Sequence, residues 1–259
     1  MHLFRAQQCK LLLCLNSHSY VAISFFSEAE FTLAEDAFRT SSGDRILTVG
    51  DGDLSFSHAL VKYTGLKKLP TSKRAAKRAR MEAQKNGNVI QERKRVEFVA
   101  TTYDSEENLL KMYDPWIKYT LRNLRSFEGV RVHHGFDATK IHERDKEFLS
   151  SGFDLVVWNH PHSGFPANHP SDHKGPGFEQ SDAVLERHTS LVRNFFDSIS
   201  RKGVLRDNAR VCISHKTIVP FDKWDVPNLG SDSGFVLASS FPFPQPLFPE
   251  YVCRRGTGK

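Results

Sequence analysis

Short runs of β-favouring aliphatics, each closing in a glycine or polar turn and each followed by an amphipathic stretch, recur along this chain and restrict it to one kind of architecture. RILTVG (residues 45–50) runs through Gly50, Asp51, Gly52 and Asp53 into a helix that reads from Ser55, taken as its cap, to about Tyr63. In RVEFVATTYDS, Val96, Phe98 and Ala100 alternate along a strand that stops at Asp104, and Ser105-Glu106-Glu107 opens a helix with acids in its first turn. VRVHHG is a third strand leading to Asp137, ERDKEFLSS a short helix, and FDLVVWN a fourth strand whose near-continuous apolar run suits burial on both faces. Residues 115–127 and 182–201 have helical apolar spacing, ARVCIS is a fifth strand, and GFVLASSFPF with its surroundings supplies one or two more. The alternation predicts a single α/β domain built on a doubly wound, mostly parallel sheet, with ligands bound outside the carboxyl ends of the strands.

The turn after the first of these strands is the natural ligand site. Glycines at a strand-to-helix bend let bare backbone amides approach a ligand, usually a nucleotide. Leu54 and Ser55 stand where the dinucleotide fingerprint has its third glycine, so the turn does not by itself choose the ligand. Nucleotide-type folds also place an acid at the end of the second strand, about 20 residues on, to accept from ribose hydroxyls. Asp104 lies 52 residues beyond Gly52, and 23 remain once the 29-residue segment 67–95 is set aside. That segment therefore reads as an insertion between the first helix and the second strand.

Charge singles out the same segment. Residues 67–95 carry eleven Lys/Arg against Glu82 and Glu92, a net of +9 where the whole chain has +6, so the remainder sums to −3. A basic run of this kind is a solvated loop, a nuclear-import signal or a phosphate-backbone contact. Cys9, Cys14, Cys212 and Cys253 form no CxxC pair and read as reduced thiols of an intracellular protein. No apolar run approaches the length of a membrane span. Residues 1–43 read as an N-terminal extension ahead of a domain at 44–259: Arg5, Lys10, the hydroxyls and the lack of acids before Glu28 fit an organelle presequence, and an ordinary extension or a leading strand fits as well.

WNHPHSG, at the end of the fourth strand, is the second informative stretch. Asn159 leaves the strand where the sheet presents side chains to a ligand, Pro161 fixes the backbone, and an amide with two imidazoles, His160 and His162, suits recognition of a base edge. A metal reading of His160, His162, His169 and His173 is disfavoured, because no cysteine or organised carboxylate accompanies them. The Pro/Gly-rich loop at about 161–180 reads as a lid beside the site.

VGDGDLSFSHAL, TTYDSEENLL, NLRSFEGVRVHHGFDATKIH, FDLVVWNHPHSG, ERHTSLVRNFFDSI and FPEYVCRRGTG together resemble, in order, the ribosomal-RNA uridine-N3 methyltransferase family over roughly residues 45–256. The resemblance implies a Rossmann-like domain of about seven strands that takes S-adenosyl-L-methionine as cofactor and RNA, ribosomal or pre-ribosomal, as partner, in the nucleus or nucleolus or the cytoplasm, with a mitochondrion or plastid as the alternative if the N-terminus is a presequence. It implies that Gly50, Asp51, Gly52, Asp53 and Ser55 approach the cofactor, that Asp104 accepts from its ribose and that Asp137 lies near its adenine. It also implies that Asn159 positions the target base while His162 or His160 handles its proton. Asp51 replaces the family's usual Glu, and His160 replaces the Phe of NFPH. That second replacement leaves open a methyltransferase-fold RNA-binding protein without turnover; a histidine-metal hydrolase is the more distant alternative.

Overall fold

The computed structural model describes residues 9–16, 27–70, 72–75, 77, 78, 81, 95–164 and 181–253. Seven strands form one sheet: β1 (Lys10–Asn16), β2 (Arg45–Val49), β3 (Glu97–Thr101), β4 (Val130–His133), β5 (Phe153–Asn159), β6 (Leu205–Lys216) and β7 (Val236–Pro242). Their order is β4-β3-β2-β5-β6-β1-β7, and the registered strand pairs are parallel. Order reverses at β2, between β3 and β5, which makes the carboxyl ends of those three strands the switch point where such sheets bind ligands.

Successive strand residues serve opposite faces. Ile46, Phe98, Ala100, Leu155 and Val157 enter one core, packed by α1 (Glu28–Phe38), α2 (Ser55–Tyr63), α3 (Glu106–Tyr113), α4 (Trp116–Leu124) and the C-terminal aromatics. Leu47, Val49, Val99, Val156 and Trp158 enter the other, beneath α5 (Lys146–Leu149), α6 (Asp182–Ile199) and α7 (Val226–Asp232). This is the pleat acting on an apolar sequence: in β2, β3 and β5, where both faces are covered, nearly every position is core and the runs lose their polar alternation. The other end of the sheet is tied by Arg45, which is 2% exposed. Its guanidinium donates to Glu97 Oε2 at 2.9 Å and to the Phe148 carbonyl at 3.1 Å.

The boundary drawn at residue 44 is corrected by β1. Residues 10–16 are no extension but an interior strand, paired with β6 on one side and β7 on the other. Leu11 and Leu13 enter one core and Leu12 the opposite one. Only one strand comes from the C-terminal region, and β1 completes the seven. The missing cue was local: the apolar run is leucine-rich, carries no glycine turn after it, and finds its partners about 200 residues away in the registry Lys10↔Arg210. A second correction concerns the helix start. The N-cap position of α2 is Leu54, at φ 60°, and it makes no side-chain cap; Asp51 and Asp53 supply the caps instead of Ser55.

The basic insertion is described only in part. Its root is docked, with the Leu69 amide donating to the Ser126 carbonyl at 2.7 Å and the Glu128 amide to the Lys67 carbonyl at 2.9 Å. Arg95, at the other end, pairs with the same Glu128. Most of residues 79–94 lies outside the described residues, as does the lid loop beyond Gly164, including His169 and His173.

If β1 is interior, Leu11→Ala will lower the unfolding free energy by about 2–5 kcal/mol, the range for truncating a fully buried leucine. Urea denaturation measures this; a midpoint equal to wild type would return residues 10–16 to the status of an extension.

Candidate active site

Two strand ends and one turn make the site. Gly50, at φ +59°, takes the chain out of β2; a Cβ there would lie 3.1 Å from Trp158 Nε1, so no other residue fits without displacing the indole. Gly52 is less constrained: a Cβ there would meet the Tyr113 hydroxyl at 3.4 Å, an ordinary contact. The turn is held by its own acids. Asp51 Oδ2 accepts from both the amide and the hydroxyl of Ser57, each at 2.6 Å, while the Asp51 amide donates to the Thr101 carbonyl of β3 at 3.0 Å. Asp53 Oδ1 accepts from the Ser55 amide at 3.0 Å and its hydroxyl at 2.5 Å. These two carboxylates satisfy the first-turn amides of α2, which is what caps do. Enclosure beside Asp53 pushes the Asp51 carboxyl up to about 7, against the pull of its bonds from Ser57.

The C-terminal segment lies on this turn. Phe248 and Tyr251 pack edge-on against Phe56, with ring centroids 5.1 and 5.3 Å apart, and the Ser55 hydroxyl reaches the Val252 carbonyl at 3.5 Å. Burial, with Cys253 and the two turn aspartates nearby, raises the Tyr251 hydroxyl above its ordinary range. FPEYVC was legible as a stretch resembling the family, but nothing in its composition said that it would cover the glycine turn.

Asp104 and Asp137 behave differently from one another. The half-buried Asp104 contributes its backbone carbonyl to the Gly135 amide (3.2 Å) and the Thr102 hydroxyl (2.8 Å), and its carboxylate has no hydrogen-bond partner among the described residues. Asp137 instead caps the 3-10 helix Ala138–Glu143, accepting from the Thr139 amide at 2.9 Å and its hydroxyl at 2.7 Å.

At the end of β5, Asn159 Oδ1 accepts from the Ser214 hydroxyl at 2.5 Å, leaving Nδ2 buried with no partner among the described residues. A buried donor left unpaired costs about 1–3 kcal/mol, which a ligand carbonyl would recover. His160 follows at φ 50°, its amide donating to the Ser214 carbonyl at 2.9 Å. Burial, with Lys216 and His215 adjacent, holds His160 down to about 4, so it is neutral at physiological pH. His162 is exposed, and its Nδ1 accepts from the Gly164 amide at 3.0 Å.

Sequence reading missed what stands behind this turn. His188 of α6, 1% exposed, accepts at Nδ1 from the Ser163 amide (3.1 Å) and hydroxyl (2.9 Å), and Arg187 donates to the Ser163 and Gly164 carbonyls at 3.3 and 3.0 Å. His162 packs on His188 (4.3 Å between ring centroids), His188 stacks on Trp224 (4.5 Å) and His215 tilts against Trp224 (4.6 Å). These rings come from four separate segments, so no motif joins them.

The site residues thus fall into two sets. Gly50, Gly52, Asp104 and Asn159 present open backbone or unfilled polar groups at adjacent strand ends, which fits a ligand with hydroxyls and carbonyls. Asp51, Asp53, Ser55 and Asp137 are engaged in capping and shape the turns. Among the described residues no group of three or more His, Cys, Asp or Glu side chains is arranged to hold a metal ion, and no helix is long and apolar enough to cross a membrane.

Comparison with known proteins gives a consistent picture. A family model described as rRNA (uridine-N3-)-methyltransferase BTM5-like matches residues 47–255. The chain is 30% identical over 221 residues to "Heavy metal-associated isoprenylated plant protein 41" of Arabidopsis thaliana; the match covers 85% of this chain and 34% of that protein, so the chain spans about a third of that relative's length. It is 27% identical over 218 residues to "Uncharacterized protein At4g26485" of the same plant, covering 84% of this chain and 85% of that one. No solved structure matches.

The lowered His160 makes a signed pH prediction. A histidine that is neutral when folded and protonated near pH 6.5 when unfolded favours unfolding increasingly as pH falls from about 6.5 toward 4. His160→Phe removes that linkage. In paired urea titrations at pH 7.5 and 5, the variant is expected to lose less stability on acidification than wild type; equal losses would show that His160 is not held neutral.

Proposed function

Because the chain belongs to the rRNA (uridine-N3-)-methyltransferase BTM5-like family, we propose that it methylates N3 of a uridine in large-subunit ribosomal RNA with S-adenosylmethionine as donor. The observation that carries this reading is the buried, unpaired Nδ2 of Asn159 at the strand end next to the glycine turn. When bound, S-adenosylmethionine offers a methyl group on a sulfonium sulfur, a good leaving group. The amides of Gly50 to Asp53 approach its methionine and ribose end, Asp104 accepts from the ribose hydroxyls, and Asp137 lies toward the adenine.

Asn159 donates from Nδ2 to a carbonyl of the pyrimidine and fixes the ring so that N3 faces the methyl. Methylation at N3 replaces the imide proton, so a group must take that proton. His160, lowered to about 4, is a weak acceptor near neutral pH and instead offers a neutral ring face to the base. His162 is the proton acceptor. With Nδ1 accepting from Gly164, its neutral ring carries the proton on Nε2, so the ring must release the Gly164 bond before Nδ1 can receive another. His188 and Arg187 brace that turn from α6. A uridine within folded RNA has to be splayed out of its stack to enter.

Mass spectrometry of nucleosides from ribosomal RNA, with and without the gene, tests the proposal; unchanged 3-methyluridine would overturn it. In vitro, Asn159→Ala and His162→Ala are each expected to cut the transfer rate by about 10²- to 10⁴-fold while cofactor affinity hardly moves. The non-catalytic alternative predicts no transfer by the parent protein.

Asp104→Ala is expected to weaken S-adenosylmethionine binding by about 1.5–3 kcal/mol, the range for hydrogen bonds to a charged group. An unchanged dissociation constant by calorimetry would move the ribose acceptor elsewhere.

A further inference from the structure

Two large aromatic side chains stand out from the surface beside the glycine turn. Trp116 is 61% exposed and Tyr119 62%, three residues apart on one stripe of α4. The opposite stripe of that helix is core: Ile117, Thr120, Leu121 and Leu124 are buried. Both rings present most of their surface outward, leaving two aromatic faces side by side that a partner can reach.

The surroundings say what it contacts. On one flank, Lys68 lies over the Phe127 ring, its Nζ 5.3 Å from the ring centroid and 3.4 Å from Asn123 Oδ1. On the other flank, Lys118, Arg122 and Arg125 line a groove of about 460 Å³ between α3 and α4. Lys118 is paired with Asp114 and Arg125 with Glu106, whereas Arg122 and Lys68 have no carboxylate partner among the described residues. The helix ends at the root of the insertion, whose net charge is +9. Two contacts relate this face to the glycine turn: the hydroxyl of Tyr113, the last residue of α3, lies 3.4 Å from where a Cβ of Gly52 would be, and Tyr119 meets His58 of α2, the helix that follows the turn, edge-on at 6.5 Å.

Aromatic faces between cationic flanks, leading from a basic segment to the mouth of a base-modifying site, match one partner chemistry. Unpaired bases stack on aromatic rings, and their phosphates sit on Lys and Arg alongside. We propose that Trp116 and Tyr119, with Lys68 and Arg122, form a stacking platform that holds single-stranded RNA next to the target nucleotide and feeds it into the site. The proposal rests on the methyltransferase reading for its destination, but not for its chemistry.

The test uses the full chain and a fluorescein-labelled single-stranded oligouridylate. Trp158 and Trp224, the other two tryptophans, are 5% and 2% exposed, so quenching of indole emission by unlabelled oligouridylate reports on Trp116. Expected results are quenching in the parent protein, its loss with near-normal affinity in Trp116→Phe, and an affinity loss of roughly 10- to 100-fold in Trp116→Ala/Tyr119→Ala. Arg122→Ala should lower the slope of log K against log salt by about one. Because both rings are outside the core, cofactor affinity measured by calorimetry should stay at the parent value. Equal oligouridylate affinity in the double variant overturns the platform and turns the surface over to a protein partner; no binding by the parent protein overturns it too. A parent protein that binds through these rings yet leaves ribosomal RNA unmethylated would sink the proposed reaction and leave the platform standing.

Discussion

The Asp51 carboxylate, turned back onto the first turn of α2, is the constraint from which the rest of the site follows. Through Ser57 it reaches the Thr48 hydroxyl of β2, since Ser57 Oγ lies 2.7 Å from Thr48 Oγ1. Thr101 of β3 closes the circuit, donating its hydroxyl to the Thr48 carbonyl at 2.8 Å and accepting the Asp51 amide. One short network thereby locks strand, turn, helix and neighbouring strand at the switch point of the sheet. With the turn so held, the glycine backbone faces outward from a rigid frame, which is what the proposed methyl transfer would need to keep donor and acceptor aligned.

That network also shows how capping and ligand binding compete for the same residue types. Aspartate and serine at a glycine bend are what one would choose to bind hydroxyls, and they are equally what one would choose to cap a helix. Here Asp51 and Asp53 do the second task, and Asp104, on the next strand, keeps its carboxylate open. Two of these acids cap and one does not, yet all three look alike in sequence.

What could be read in the chain beforehand follows from this. Strands β2 to β7 and the long helix α6 were legible, the inner strands because buried parallel strands write themselves as apolar runs between turns, whereas the strand order that sets the switch point came only with the structure. The register of Asp104 with the glycine turn was legible because a basic segment is easy to subtract. β1 was legible only as one alternative among three, since a leucine-rich run without a following turn has no local mark that decides for a strand, and its neighbours lie about 200 residues further along the sequence. Ser214, His188 and Trp224 were not legible, since they gain their meaning only when β6, α6 and a short 3-10 turn converge behind Asn159. The neutrality of His160 is likewise a property of its enclosure and of Lys216, not of its neighbours in the chain.

The place of β1 sets a timetable for biosynthesis. Among the described strands β1 is made before the other six yet lies sixth in the sheet order, and its two partners, β6 and β7, are made after the other four. At ordinary translation speeds, the roughly 200 residues between Lys10 and its partner Arg210 take on the order of 10–40 s to appear. Throughout that interval the nascent chain carries a leucine-rich β-segment without its partner strands, while the glycine turn and its neighbouring strands can already assemble. Closing the sheet across β6, β1 and β7 therefore waits on residues made about 200 positions later, a delay that strands adjacent in sequence do not impose.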